Sequence, residues 1–230
     1  DSQSFLFYLP NIIFLIFPIG ISFIISFMFH TLIGGIGTYL CARHGFNLKI
    51  SSSLFITSLY ILSPKVAGYL EAGHYGLVAS FTFLPFILLA IILLSRKQQI
   101  IYSILLAVSL AGIFYTHTII FIIAAISSLF IFIYLFIFTV PQKNRIKYCL
   151  FFFISSLLTF GLIAITFLPQ IQWTTETTRF LLLENPDVYP KWISKKEFFV
   201  DLLFPYLQGK GNLLSIDSEK WISSGSIISI

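Results

Sequence analysis

The sequence predicts an all-α, polytopic membrane helix bundle of about six transmembrane helices, and three observations carry that prediction. Hydrophobic residues make up 57% of the chain and charged residues 10%, with a mean hydropathy of +0.95. A soluble domain carries about 25% charged residues. A chain of 230 residues has too small an interior to hide this much apolar surface, so its solvent must be hydrocarbon. Second, apolar runs of near-spanning length alternate with short polar turns. Third, charge alternates with the turns. Arg43 and Lys49, then Arg96 and Lys97, then Lys143, Arg145 and Lys147 occupy every other turn, and no acid joins them.

Taken in order, Asp1 to Pro10 is expected to be a short lead-in outside the membrane. The first helix is expected at 12–41, its membrane part starting near Phe17. Pro18 lies near that start, where proline is tolerated, and Arg43-His44-Gly45 forms a basic, glycine-containing stop. The second pass, 51–68, is short. It either spans with help from Ser63 to Tyr69 or is a helix broken at Ser63-Pro64. The third, 75–94, holds Pro85 as a kink candidate. The fourth and fifth, 100–115 and 119–140, flank Thr116-His117-Thr118. The sixth, 148–168, is expected to stop at Pro169.

A bundle at 1–169 is therefore followed by a different segment at 170–230, read as extracytoplasmic or interfacial. It holds all three tryptophans, Trp173, Trp192 and Trp221, and tryptophan favours the membrane–water interface. Ser194-Lys195-Lys196-Glu197 fits a capping box. Phe198, Phe199, Leu202 and Leu203 recur at helical spacing before Pro205, so an amphipathic surface helix is expected at about 195–204.

The positive-inside rule assigns the basic turns to the cytoplasm. Both chain ends, the turn Glu71-Ala72-Gly73-His74 and His117 then face outward, in a multi-pass protein of the cell membrane. The net charge of +5 is spread over separate turns, so it is not a nucleic-acid signal. Cys41 and Cys149 fall at cytoplasmic helix ends and are expected as free thiols. No metal-ligand spacing and no cofactor motif appears. Gly34-Gly35-Ile36-Gly37-Thr38 lacks the strand–turn–helix context of a nucleotide loop, and its small residues suit close helix packing. The chain starts at Asp1 rather than Met and stops at Ile230 in mid-pattern, so the expectation is an internal piece of a longer protein.

Glu71 is the only acid between Asp1 and Glu176. With His74 three residues on, it is placed on one helical face. Ionisable residues at membrane depth are costly and mark function by default. The pair can serve as acid and base, or hold a phosphate. It can equally be solvated in the headgroup zone, ending two helices. His30 lies inside the first helix and faces the bundle or a water-filled space, either as a substrate contact or bonded to a neighbouring carbonyl or hydroxyl. His117 lies on the same side as Glu71 and His74 and can converge with them, or sit alone at the interface. Arg179 in the tail can meet a lipid-linked phosphate or ordinary headgroups.

Several stretches resemble one family. DSQSFLFYLPNIIF resembles a segment with Asp-Pro-Gln-Ser followed by Tyr-Pro-Pro-Asn. HTLIGGIGTYLCARHGFN resembles the helix that follows it. ILSPKVAGYLEAGHYGLVASFTFLPFILLA is similar to a Ser-Pro, Gly-His, Leu-Pro series, and EFFVDLLFPYLQG to an external Leu-Leu-Phe-Pro segment. Together they resemble the YfhO-like polytopic bacterial proteins, which are similar to GT-C glycosyltransferases. The resemblance implies transfer of a sugar from a polyprenyl-phosphate carrier to an extracytoplasmic acceptor, within the lipid bilayer. It implies a catalytic acid in an external loop that would precede Asp1. Glu71 and His74 would then be supporting catalytic residues, with His30, His117 and Arg179 toward the substrate. This chain departs from the family pattern at Leu9-Pro10 and at Phe81-Thr82-Phe83. A transporter or flippase-like protein for a lipid or polar solute is the alternative, since broken helices and intramembrane ionisable groups belong to both. A membrane protein with no reaction also fits.

Overall fold

The computed structural model describes residues 8–173. The tail readings, from Arg179 to the surface helix at about 195–204, lie outside the described residues. The chain divides at Pro169 into two units, Asp1–Pro169 and Gln170–Ile230. Among the described residues every regular element is helical. The α-helices are α1 (Ile13–Ile16), α2 (Ile19–Leu40), α3 (Ile50–Ile61), α4 (Pro64–Glu71), α5 (Tyr75–Phe81), α6 (Leu84–Lys97), α7 (Ile100–Thr116), α8 (Thr118–Phe138) and α9 (Arg145–Trp173). Five stretches are long and apolar enough to cross a membrane: Ile19–Gly45, Ile50–Glu71, Tyr75–Lys97, Thr118–Phe138 and Gln142–Trp173. The protein is a multi-pass helix bundle of membrane type. The expected fourth pass, α7, has 17 residues, or about 25 Å at 1.5 Å per residue, and falls below the usual spanning length.

Prolines set the breaks. A proline lacks the N–H that continues a helix, and it forces the residue before it into an extended conformation. Phe17, just before Pro18, has φ −116° and ψ 156°. The helix expected at 12–41 is therefore two pieces, and the chain folds back at this point. Ser22 Oγ donates to the carbonyls of Ile13 and Phe17 at 3.2 and 3.0 Å. The rings of Phe14 and Phe23 meet edge to face at 5.0 Å. Tyr8, expected in a short lead-in outside the membrane, is buried against His30, eleven residues into α2. The second pass breaks at Leu62–Ser63, with Pro64 opening α4, yet α3 and α4 together make one span. By contrast, Pro169 lies inside α9, which runs on to Trp173 rather than stopping. Membrane helices absorb such prolines when few backbone bonds are lost, as in a last turn.

Pro85 has the clearest consequence. Its ring excludes the normal bond to the carbonyl of Phe81, four residues back. The helix breaks at Thr82–Phe83, between α5 and α6. The freed carbonyl is taken by Tyr60 of α3, whose hydroxyl donates to Phe81 O at 2.6 Å. A tyrosine on the outermost helix thus closes a gap made by a proline on the innermost. Tyr60→Phe should lower bundle stability in detergent by about 1–3 kcal/mol, because it strands a carbonyl shielded from water. An unchanged melting temperature would show that the carbonyl finds another partner.

Packing is uneven. The Tyr75–Lys97 span is 72% buried within the protein, against 17% for Thr118–Phe138 and 6% for Ile50–Glu71. Leu77, Ile87, Ala90 and Ile91 form the main cluster with Leu106, Leu110 and Ile113 of α7 and Ile120 and Ala124 of α8. α9 is tied on by Ser103 Oγ to Phe151 O at 2.9 Å and Tyr115 OH to Leu162 O at 2.7 Å. Phe132 stacks between Tyr148 and Phe152 at 4.7 and 4.1 Å. Gly34, Gly35 and Gly37 of α2 act as helix-packing residues. A Cβ at Gly37 would stand 2.5 Å from the Phe86 ring, and one at Gly35 3.4 Å from Ile61.

Candidate functional site

Two groupings of polar side chains stand out, one at a helix end and one inside the bundle. The end site is built by the turn from α4 to α5 and the turn from α7 to α8. Helix α4 closes in a Schellman motif: Gly73 N donates to Leu70 O and His74 N to Tyr69 O, at 3.0 and 2.9 Å. That motif needs a left-handed residue, and Gly73 supplies it with φ +77°. Glu71 is the last residue of α4, whereas His74 caps α5. The expected single helical face is therefore absent. The i, i+3 geometry ends where the helix ends, and no hydrogen bond or ion pair joins Glu71 to His74. Both side chains are exposed. His74 meets the Tyr69 ring edge to face at 6.2 Å.

His117 is extended (φ −160°, ψ 104°) and forms the whole link between α7 and α8. Its backbone N–H donates to Ile113 O at 2.7 Å, closing α7. Its ring Nδ1 accepts from Ile120 N at 3.4 Å, capping α8. The other ring nitrogen has no partner among the described residues. Burial lowers the imidazole pKa below its usual 6.5, and the charge of His74 lowers it further. His74 and His117, 43 positions apart, are thus electrostatic neighbours. Among the described residues Glu71 is the sole carboxylate, and no group of His, Cys, Asp and Glu could hold a metal ion.

The interior grouping centres on His30, which is 3% exposed. Its Nδ1 lies 2.6 Å from Ser26 O, and a carbonyl only accepts, so Nδ1 carries the proton. In the neutral ring Nε2 then accepts from the Tyr8 hydroxyl, 2.7 Å away. The Tyr75 hydroxyl lies 3.1 Å from Nδ1 and hydrogen-bonds to Ser26 Oγ. Tyr8 stacks on the imidazole at 5.7 Å, and Tyr75 meets it edge to face at 5.8 Å. Thr82 Oγ1 donates to the His30 carbonyl at 3.4 Å. A cavity of about 30 Å³ adjoins the ring, bordered by Thr31, Gly34, Tyr60 and Thr82 among others. Such a volume admits a water molecule rather than a sugar.

The structure therefore sets His117 and His74 at the same end of the bundle, places Glu71 across the turn from His74, and keeps His30 apart with both ring nitrogens engaged. Arg179 lies outside the described residues. Sequence reasoning passed over Tyr8, Tyr75 and Ser26. Ser26 carried a signal, since Ser22, Ser26 and His30 recur every fourth residue and share a face of α2. No family model matches the chain, and neither a curated protein nor a solved structure matches it.

Proposed function

We propose that this chain belongs to an integral-membrane transferase of the GT-C glycosyltransferase type. It would take a sugar from a polyprenyl-phosphate carrier and pass it to an acceptor on the outer side of the cell membrane. The observation that carries the reading is that His74 and His117 lie at the same end of the bundle, the end opposite the basic turns. Two imidazoles there suit the phosphate of a lipid carrier, whose charge grows as the sugar departs. The resemblance to YfhO-like proteins supports the same reaction. In this arrangement His117 and His74 hold the phosphate, and Glu71 supports the catalytic carboxylate that the resemblance places before Asp1 and that takes the acceptor hydroxyl's proton. No hydrogen bond supports an orienting role of Glu71 toward His74.

The pH dependence has a defined sign. His117 lies below 6.5, so in the empty site its cationic form appears only as the medium becomes acid. The carrier's phosphodiester keeps its single charge over that range. Carrier binding by the full-length protein should therefore strengthen as pH falls from about 7.5 to about 5.5. His74→Ala together with His117→Ala should abolish that strengthening and reduce transfer by about 100-fold or more. Undiminished glycan product from a normally expressed double variant would sink the reading.

The breaks at Phe17–Pro18 and Thr82–Phe83 favour a second reading, a transporter of a lipid or polar solute, because discontinuous helices line transport sites. Reconstituted vesicles separate the two. Carrier translocation without sugar transfer supports transport, and transfer without translocation supports the enzyme.

A further inference from the structure

At the opposite end of the bundle lies a groove unrelated to that reaction. Its floor and walls come from α2, the π-helical turn Cys41–Gly45 that extends it, α3 and α6. Cys41, Phe46, Leu48, Ile56, Tyr60 and Leu88 line a space of about 310 Å³, within the size range of small-ligand sites. Helix α3 packs on α2 and on the π-turn but stands away from α6, and the groove is the gap. Two hydroxyls reach it, and both are already spent. Thr38 Oγ1 donates to Gly34 O at 2.8 Å, and Tyr60 OH donates to Phe81 O at 2.6 Å. The walls therefore offer hydrocarbon, and an apolar space of this kind is not a water site. Phe46 and Ile56 are 54% and 38% exposed, so the groove opens toward the bilayer.

The rim is cationic. Arg43 Nη1 donates to the carbonyl of the lining residue Leu48 at 2.9 Å, which fixes the guanidinium at the groove's edge. The guanidinium carries further N–H donors beyond this bond. Lys49 follows directly and is exposed. Arg96 reaches the carbonyl of His44 at 3.4 Å. The sole described carboxylate, Glu71, is at the other end of α3–α4, so no carboxylate among the described residues neutralises these charges. An apolar slot open to lipid, under a cationic rim with no acid, has the chemistry of an anionic phospholipid.

We infer that this groove holds one acyl chain of an anionic phospholipid, whose phosphate is bound by Arg43 and Lys49. The basic turn carrying Lys143 and Lys147 lies between other helices, α8 and α9, and serves as the internal control.

The test uses the purified protein in neutral detergent, with native mass spectrometry of retained lipid. Phosphatidylglycerol is compared with phosphatidylcholine of the same acyl chains. The wild type should retain phosphatidylglycerol about tenfold better. Arg43→Gln with Lys49→Gln should abolish the preference, while Arg43→Lys keeps it, which separates charge loss from misfolding. Ile56→Trp, which fills the groove from the peripheral helix α3, should reduce retention of both lipids. Lys143→Gln with Lys147→Gln should leave the preference intact. Equal retention of the two lipids by the wild type overturns the proposal. So does an undiminished preference in Arg43→Gln with Lys49→Gln, equal loss in the Lys143 and Lys147 control, or normal retention in Ile56→Trp.

Discussion

Replacing His30 by alanine is expected to destabilise the bundle by about 3 kcal/mol or more, whatever its effect on activity. The ring is buried, and removing it does three things at once. It opens a cavity between Tyr8 and Tyr75, it removes the acceptor of the 2.7 Å bond from the Tyr8 hydroxyl, and it removes the Nδ1–H that meets the Ser26 carbonyl. A cavity of this kind costs about 2–5 kcal/mol, and each lost hydrogen bond about 0.5–1.5 kcal/mol. The low ends of these ranges together come to about 3 kcal/mol. Thermal unfolding in detergent, followed by circular dichroism, reads the effect. Should His30→Ala unfold at the wild-type temperature and lose only substrate affinity, the imidazole would be a ligand for substrate and not the clasp of the fold-back.

The second large effect is expected at Gly112. A Cβ there would fall 2.7 Å from two atoms of the Phe83 ring, well inside van der Waals contact. Phe83 has little room to give way, because its other side meets Tyr8 edge to face at 6.3 Å, and Tyr8 rests on His30. Gly112→Ala should therefore cost about 1–3 kcal/mol by overpacking and pass the strain along that row of rings. Gly161→Ala is the matched control, since a Cβ there meets nothing within 4 Å. Equal melting temperatures for the two variants would contradict the packing described for Phe83. Because Phe83 and Tyr8 connect the sites, Gly112→Ala combined with His30→Ala should be less than additive.

Charge and hydropathy made the order of passes readable from sequence, because each basic turn interrupts an apolar run. Prolines located most breaks: Pro64 and Pro85 mark real helix starts. They did not give the direction the chain takes next. Nothing local to Phe17-Pro18 states that Tyr8 returns to lie beside His30, since that contact is decided by two side chains 22 positions apart. Pro169 shows the converse error, a proline that ends nothing. At the end site, Glu71 and His74 were placed on one face by spacing alone. The glycine between them was the available signal, because Gly73 in the left-handed region is how a helix terminates. His117 was set on the side of His74 by counting passes, but its capping of α8 needed coordinates.

The central span has a consequence for assembly. Tyr75–Lys97 ends up mostly enclosed by protein, yet its mean hydropathy of 2.7 is nearly that of Thr118–Phe138, at 2.8, which stays largely open to lipid. A segment destined only for a protein interior had no need to be so uniformly apolar. Such a composition fits a helix that enters the bilayer on its own and is surrounded later, the order expected when insertion precedes association. The break at Thr82–Phe83 then has a history: Phe81 O, freed by Pro85, must wait in hydrocarbon until Tyr60 arrives. The hydroxyl that completes the innermost helix thus ties the last stage of its maturation to the docking of the outermost one.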